Sequence, residues 1–217
     1  MPVRFKYACE VISLMEEEFW LTIMFWFTVS YLIIFAVISY MKHNYEFLYY
    51  ISVMVICIFI AVVYYKELHL PMTLMAGLTI LGVMHVMGGN VYIGQTRLYD
   101  FWLIPHWFRY DQLVHTIGTM LATLVAYNLL WPHLQTHAKY RSFNIAIILV
   151  LIAMGIGAVN EVVEFGAVVF FNAAKGVGDY MNNAFDMFFN MVGSIIACTV
   201  IIRHHKKHHI RQQQIKR

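Results

Sequence analysis

The chain has 217 residues, of which 61% are hydrophobic and 12% charged, with a formal net charge of +3 and a mean hydropathy of +0.65. A soluble domain carries about 25% charged and roughly 45–50% apolar residues, so the composition excludes a water-soluble globule, a disordered chain and a basic nucleic-acid binder. The three cysteines, Cys9, Cys57 and Cys198, are scattered and odd in number, which excludes a disulfide framework and a cysteine zinc knuckle.

What remains is a polytopic membrane protein. A bilayer core about 30 Å thick needs about 20 apolar helical residues, and six stretches answer. Residues 1–18 read as an interfacial N-terminal segment. Phe19 to Tyr40 is uncharged and forms the first span. Glu16, Glu17 and Glu18 stand where a signal peptide has its basic region, so this span reads as a retained helix. The second runs from Phe47 to Tyr65. The third lies within Leu68 to Thr96 and starts near Pro71, a residue favoured at helix beginnings. The fourth, Leu113 to Trp131, is closed by Pro132. The fifth, Phe143 to Phe171, is long enough to tilt or project, and the sixth runs from Ala184 to Ile202. The expected fold is an all-α bundle of six transmembrane helices over 19–202, followed by a basic tail, 203–217.

Six spans put both termini on one side. That side carries eleven of the fifteen Lys and Arg, while the other holds Lys42, Arg97, Arg109 and Lys175. The excess of positive charge predicts cytoplasmic termini. The expected location is a bacterial cytoplasmic membrane, with the loop around residues 97–112 outside it.

Most acidic residues fall in tails and loops. Glu161 and Glu164 do not: they lie inside the fifth apolar stretch, where an ionisable group costs roughly 2.5–3.5 kcal/mol and needs a partner or a function. With a rise of about 1.5 Å per residue, Glu161 sits about 27 Å from the cytoplasmic start of its helix and His85 about 21 Å from the start of the third. Asp111 and His115 head the fourth helix, and Asp186 and Asn190 the sixth. Four helices therefore bring these groups to one depth. Asp111 with His115, and Asp186 with Asn190, are spaced i, i+4; Glu161 with Glu164 is i, i+3, so each pair shares a helix face. Gly193 lies on nearly the same face as Asn190 and would let another helix approach closely. Carboxylates and imidazoles on facing helices hold metal ions in bundles. His85, Asp111, His115, Glu161, Glu164 and Asp186 are thus candidate ligands for a divalent ion (zinc, manganese, iron or magnesium), with Asp179 and Asn190 supporting.

Plainer roles compete. His85 alone reads as a core histidine. Asp111 with His115 reads as a capping pair, and Asp186 as a carboxylate favoured by a helix dipole. Gly88 and Gly89 read as a break in the third helix. Glu161 with Glu164 resists such a reading, because two acids one turn apart in apolar surroundings repel unless a cation or proton intervenes.

The string Arg109-Tyr110-Asp111-Gln112-Leu113-Val114-His115, then Glu161-Val162-Val163-Glu164-Phe165, then Gly178-Asp179 with Asp186-Met187, resembles the YjdF-type inner-membrane proteins of bacteria. The likeness covers roughly residues 85–193. It implies a shared polar site at His85, Asp111, His115, Glu161, Glu164, Asp179 and Asp186, and it names no substrate. The chain departs from the pattern at Asn182, where an acid is expected, and at Asn90, where a second histidine is expected. Asp186, Asn190 and Gly193 also resemble a fragment of the VanZ-like membrane proteins.

Three functions fit these residues. One is a metal-dependent hydrolase or transferase acting on a lipid or lipid-linked substrate, with Glu161 or Glu164 as general base. The second is an ion-coupled transporter. The third is a scaffold whose polar cluster locks helices together. The oligomeric state has no signature in the sequence. The charge bias gives a direct test of orientation. Green fluorescent protein fused after Arg217 is expected to fluoresce in bacteria, and alkaline phosphatase inserted near Asp100 is expected to be active; the opposite pattern would invert the bundle.

Overall fold

The structure is a computed structural model that describes the backbone of residues 3–134 and 142–215 and the side chains of residues 15–134 and 143–204. Lys139, Arg141, the side chains of the basic tail beyond 204 and those of residues 1–14, on which the orientation and interfacial-segment expectations partly rest, lie outside the described residues.

The chain is 85% helical. Its helices are α1 (Val3–Met41), α2 (Tyr45–Val63), α3 (Tyr65–Leu68), α4 (Met72–Asn90), α5 (Tyr110–Leu130), α6 (Ser142–Phe171), α7 (Ala174–Val177) and α8 (Tyr180–Ile215). Six contain stretches long and apolar enough to cross a membrane: Met15–Met41, Tyr45–Val63, Met72–Asn90, Tyr110–His133, Phe143–Phe171 and Tyr180–His204. These match the six expected spans. Large apolar side chains such as Phe25, Ile33, Phe59, Leu151 and Val162 stand exposed along them, as lipid contact requires.

Local chemistry sets the ends. Asn44 caps α2, its Oδ1 accepting from the Phe47 N–H at 3.3 Å. Pro71 immediately precedes α4, and Pro132 lies in the 3₁₀ turn that closes α5. Asn90 ends α4 and is buried, its Nδ2 donating to the Val86 carbonyl and its Oδ1 accepting from Ser39 Oγ. The residue standing in place of an expected histidine is therefore a structural pin between α1 and α4.

Three features correct the expectations. α4 passes through Gly88 and Gly89 without a break. Both glycines are buried and leave room for rings instead: a side chain at Gly88 would strike Tyr99, and one at Gly89 would strike Phe47. α8 begins at Tyr180, so Asp186 lies nearly two turns inside the helix rather than at its entry. The chain between α4 and α5 is not a plain loop. It folds into two short antiparallel hairpins, β1 (Tyr92–Ile93) with β2 (Thr96–Arg97), and β3 (Trp102–Ile104) with β4 (Phe108–Arg109).

α5 is the centre of the bundle and packs most extensively on α8, then on α6 and α4. α1 lies against α4 and α2, and α2 also reaches α6. The α1–α2 turn, the two hairpins and α7 gather at one end, called here the hairpin end. A cluster of Phe47, Tyr50, Tyr99, Val114, Ala167 and Ala173 fills that end, and Ala126, Leu149, Cys198 and Ile201 fill the other.

The α5–α8 contact depends on one small residue. A Cβ on Gly193 would lie 2.1 Å from the Thr116 carbonyl oxygen and 2.5 Å from Thr119 Oγ1. The expected close approach is present, and it occurs one turn from His115. Gly193→Ala should force the helices apart and cost about 1–3 kcal/mol, the usual penalty of overpacking. Thermal unfolding in detergent reads this, and a melting curve equal to the parent's would contradict such intimate packing.

Candidate metal centre

Helix α5 delivers Asp111 and His115 together because its N-terminus is capped by other means. The Arg109 N–H donates to Gln112 Oε1 at 2.9 Å, so Gln112 performs the capping and Asp111 turns inward. Asp179 has the corresponding role at α8, where its Oδ1 accepts from the Asn182 N–H at 3.1 Å. It is a capping residue at the rim, apart from the ligand groups.

His115 is the hub. Its Nε2 faces Asp111 Oδ1 at 3.5 Å and Asp186 Oδ1 at 3.8 Å. Its Nδ1 lies 3.2 Å from Asn190 Oδ1 and 4.0 Å from Glu161 Oε1. An amide oxygen only accepts, so the Asn190 contact places a proton on Nδ1 and leaves the Nε2 lone pair toward the two aspartates in the neutral ring. Asp186 is 1% exposed, and its Oδ1 has no hydrogen-bond partner among the described residues; the same holds for Glu161 Oε1.

The outer carboxylate oxygens, by contrast, are held. Asn182 Nδ2 donates to Asp186 Oδ2 at 2.8 Å and reaches Asp111 Oδ2 at 3.4 Å. Asn183 Nδ2 donates to Glu161 Oε2 at 2.7 Å, and Asn160 Nδ2 to Glu164 Oε1 at 2.8 Å. Each acid therefore has an amide partner, and the oxygens of Asp186 and Glu161 that face His115 have none.

Two sets of three residues each offer one ligand atom within 4.8 Å of the others: Asp111, His115 and Asp186; and His115, Glu161 and Glu164. Ligand atoms around one ion with bonds of about 2.0–2.2 Å stand roughly 3–4 Å apart. The first set has that spacing about Nε2, and its imidazole is oriented by an outer hydrogen bond, as metal-bound histidines are.

His85 stands outside both sets. Its Nδ1 is 2.6 Å from the Tyr99 hydroxyl, and its ring lies among Phe47, Tyr50 and Tyr99. Burial, reinforced by the nearby Asp111 charge, pushes the Tyr99 phenol well above its ordinary range, so it stays neutral. His85, Asp111 and Glu164 share the wall of one cavity of about 30 Å³ with Glu46, Tyr50 and Arg97. Asp111, His115, Glu161, Glu164, Asp186 and Asn190 thus converge, and His85 borders them.

Sequence reasoning missed the amides. Asn182 precedes Asp186 by four residues, and Asn160 precedes Glu164 by four, the same spacing that paired Asp111 with His115; that signal was present. Glu46, one of the acids that the sequence places outside the apolar spans, lies with its Oε1 3.6 Å from Arg97 Nη1 and both side chains largely buried. Nothing along the chain links residues 46 and 97.

Six spanning helices and this internal acid–imidazole group define an integral membrane protein with a polar centre at one end of its bundle. The chain belongs to the family described as "Predicted membrane protein (DUF2238)", which matches residues 21–207; the YjdF-type resemblance is to the same family. No curated protein and no solved structure matches.

Removing the shared amide tests the geometry. Asn182→Ala strips a donor from Asp111 and from Asp186, and leaving buried acceptors unmet costs about 1–3 kcal/mol. Chemical unfolding in detergent should show that loss, while Asn182→Asp should be at least as destabilising in metal-free protein because it adds a third acid. A neutral outcome for both would mean that the amide does not brace the aspartates.

Proposed function

We propose that this protein is a metal-dependent membrane enzyme, a hydrolase or transferase acting on a lipid or lipid-linked substrate. Its centre is a divalent ion held by Asp111, His115 and Asp186. The observation that carries this is the His115 Nε2 atom facing two aspartate oxygens at 3.5 and 3.8 Å. Those distances are too long for hydrogen bonds and suit a shared cation, and one of the two oxygens has no other partner. The donor set of two carboxylates and one imidazole fits zinc, manganese, iron or magnesium.

When bound, such an ion supplies a more acidic water and a Lewis acid for a carbonyl or phosphoryl oxygen. The chain's own residues do the rest. Asn190 holds the His115 ring. Asn182 fixes the outer oxygens of both aspartates. Glu161 and Glu164, held by Asn183 and Asn160, stand beside His115 as general-base candidates. The positive-charge bias supports cytoplasmic termini, which sets the centre in the outer leaflet of a bacterial cytoplasmic membrane, at the level of lipid headgroups.

A transporter would need polar groups continuing toward the other face. On α5 the hydroxyls that lead that way are occupied: Thr116, Thr119 and Thr123 donate to the carbonyls of Gln112, His115 and Thr119, each at 2.7 or 2.8 Å. This favours a one-ended site. A scaffold is disfavoured because Asp186 and Glu161 each bury an oxygen that no helix contact uses.

Purified protein should carry about one divalent ion per chain by elemental analysis. His115→Ala and Asp186→Asn should lose it. Glu161→Gln should retain it and lower turnover of lipid phosphate or ester substrates in proteoliposomes by about 10²–10⁴-fold. A preparation that stays metal-free after soaking would remove the metal centre.

A further inference from the structure

The cavity beside His85 differs in kind from the ligand groups it adjoins. Its volume of about 30 Å³ is about twice what one ordered water requires and far below what a lipid headgroup or sugar needs. Its wall is mixed: Arg97 offers donors, Glu46, Asp111 and Glu164 offer acceptors, and Tyr50 offers a hydroxyl that can do both. An ion would meet charges of both signs there, whereas a water can satisfy both kinds of partner.

A second observation points to an occupant. Tyr50 is 6% exposed, and its hydroxyl is buried without a hydrogen-bond partner among the described residues. Buried hydroxyls are almost always paired, so this one calls for a partner that none of the described residues supplies. The aromatic ring is fixed edge-on against Phe47, with centroids 5.2 Å apart.

We propose that this cavity is a water-binding subsite with the Tyr50 hydroxyl as its anchor. Resting on the metal reading, it is the place from which water reaches the centre, because Asp111 of one ligand set and Glu164 of the other both form its wall. Tyr50 is a positioning residue in this arrangement. The Arg97–Glu46 pair lies on the same wall. A lipid therefore has to arrive elsewhere, and the exposed Asn183, which meets Glu161 between α6 and α8, is a place outside the cavity wall. Water and lipid would approach the centre from different sides.

X-ray hydroxyl-radical footprinting of the full chain in lipid nanodiscs tests this, because bound water generates radicals in place. Tyr31 is the control: it is also 6% exposed but packs in a separate cluster with Leu32, Ile51 and Val86. Tyr50 should be oxidised about tenfold faster than Tyr31, as expected of a residue in contact with ordered water. In Tyr50→Phe, oxidation of Phe47 and Tyr99 should fall about fivefold, the occupancy change for one lost hydrogen bond, with metal content unchanged. Equal, slow oxidation of Tyr50 and Tyr31 would overturn the subsite. Metal analysis of the same preparation separates the two readings. Bound metal with a protected Tyr50 removes the water subsite and leaves the metal centre; a labelled Tyr50 in a protein that takes up no metal supports the subsite and removes the metal centre.

Discussion

Ionised carboxylates in an apolar interior lose their hydration, and the protein must replace it with something fixed. That requirement organises the hairpin end of this bundle. Asp111, Glu161, Glu164 and Asp186 come from three helices, and each has one side-chain amide as a donor. Four acids placed together would drive the helices apart if all were charged, yet α5 and α8 approach closely beside them, at Gly193. The imidazole of His115 between the aspartates explains only part of that tolerance. With its proton on Nδ1 the ring turns its Nε2 to the oxygens of Asp111 and Asp186. A proton or a cation at that point would satisfy the electrostatics.

The spans were legible from the chain alone because hydropathy reports what the bilayer demands. The convergence of Asp111, His115, Glu161 and Asp186 was legible as well, since helical rise converts sequence position to height. Rotation about each helix axis was not. It separates His85, which faces an aromatic box, from His115, which faces acids. The start of α8 was hidden because Tyr180 to Asn183 reads as polar loop. Its helical state comes from the Asp179 cap and from the amides of Asn182 and Asn183 finding acids on α5 and α6. The short strands at 92–109 carry too few residues for an alternating pattern to emerge. The Glu46–Arg97 pair joins residues far apart in sequence, and only packing reveals it.

The polar network is one-ended. Toward the other end the buried polar groups on α5 are hydroxyls that bond back to their own helix, and the core becomes Ala126, Leu149, Cys198 and Ile201. The acid–imidazole group therefore sits at one end of an otherwise apolar bundle. The match to the DUF2238 family of predicted membrane proteins spans residues 21–207 and so takes in every one of these acids.

Arg97 joins three separate stretches of chain. Its guanidinium faces Glu46 at the head of α2, bonds Asp100 within its own loop, and donates to the Gly176 carbonyl in α7. Because a charged donor is costly to strand away from water, the hairpin segment and the α6–α8 connection cannot part independently. They act as a single latch. A displacement of the hairpin segment would therefore be transmitted to the head of α2 and to the turn that leads into α8.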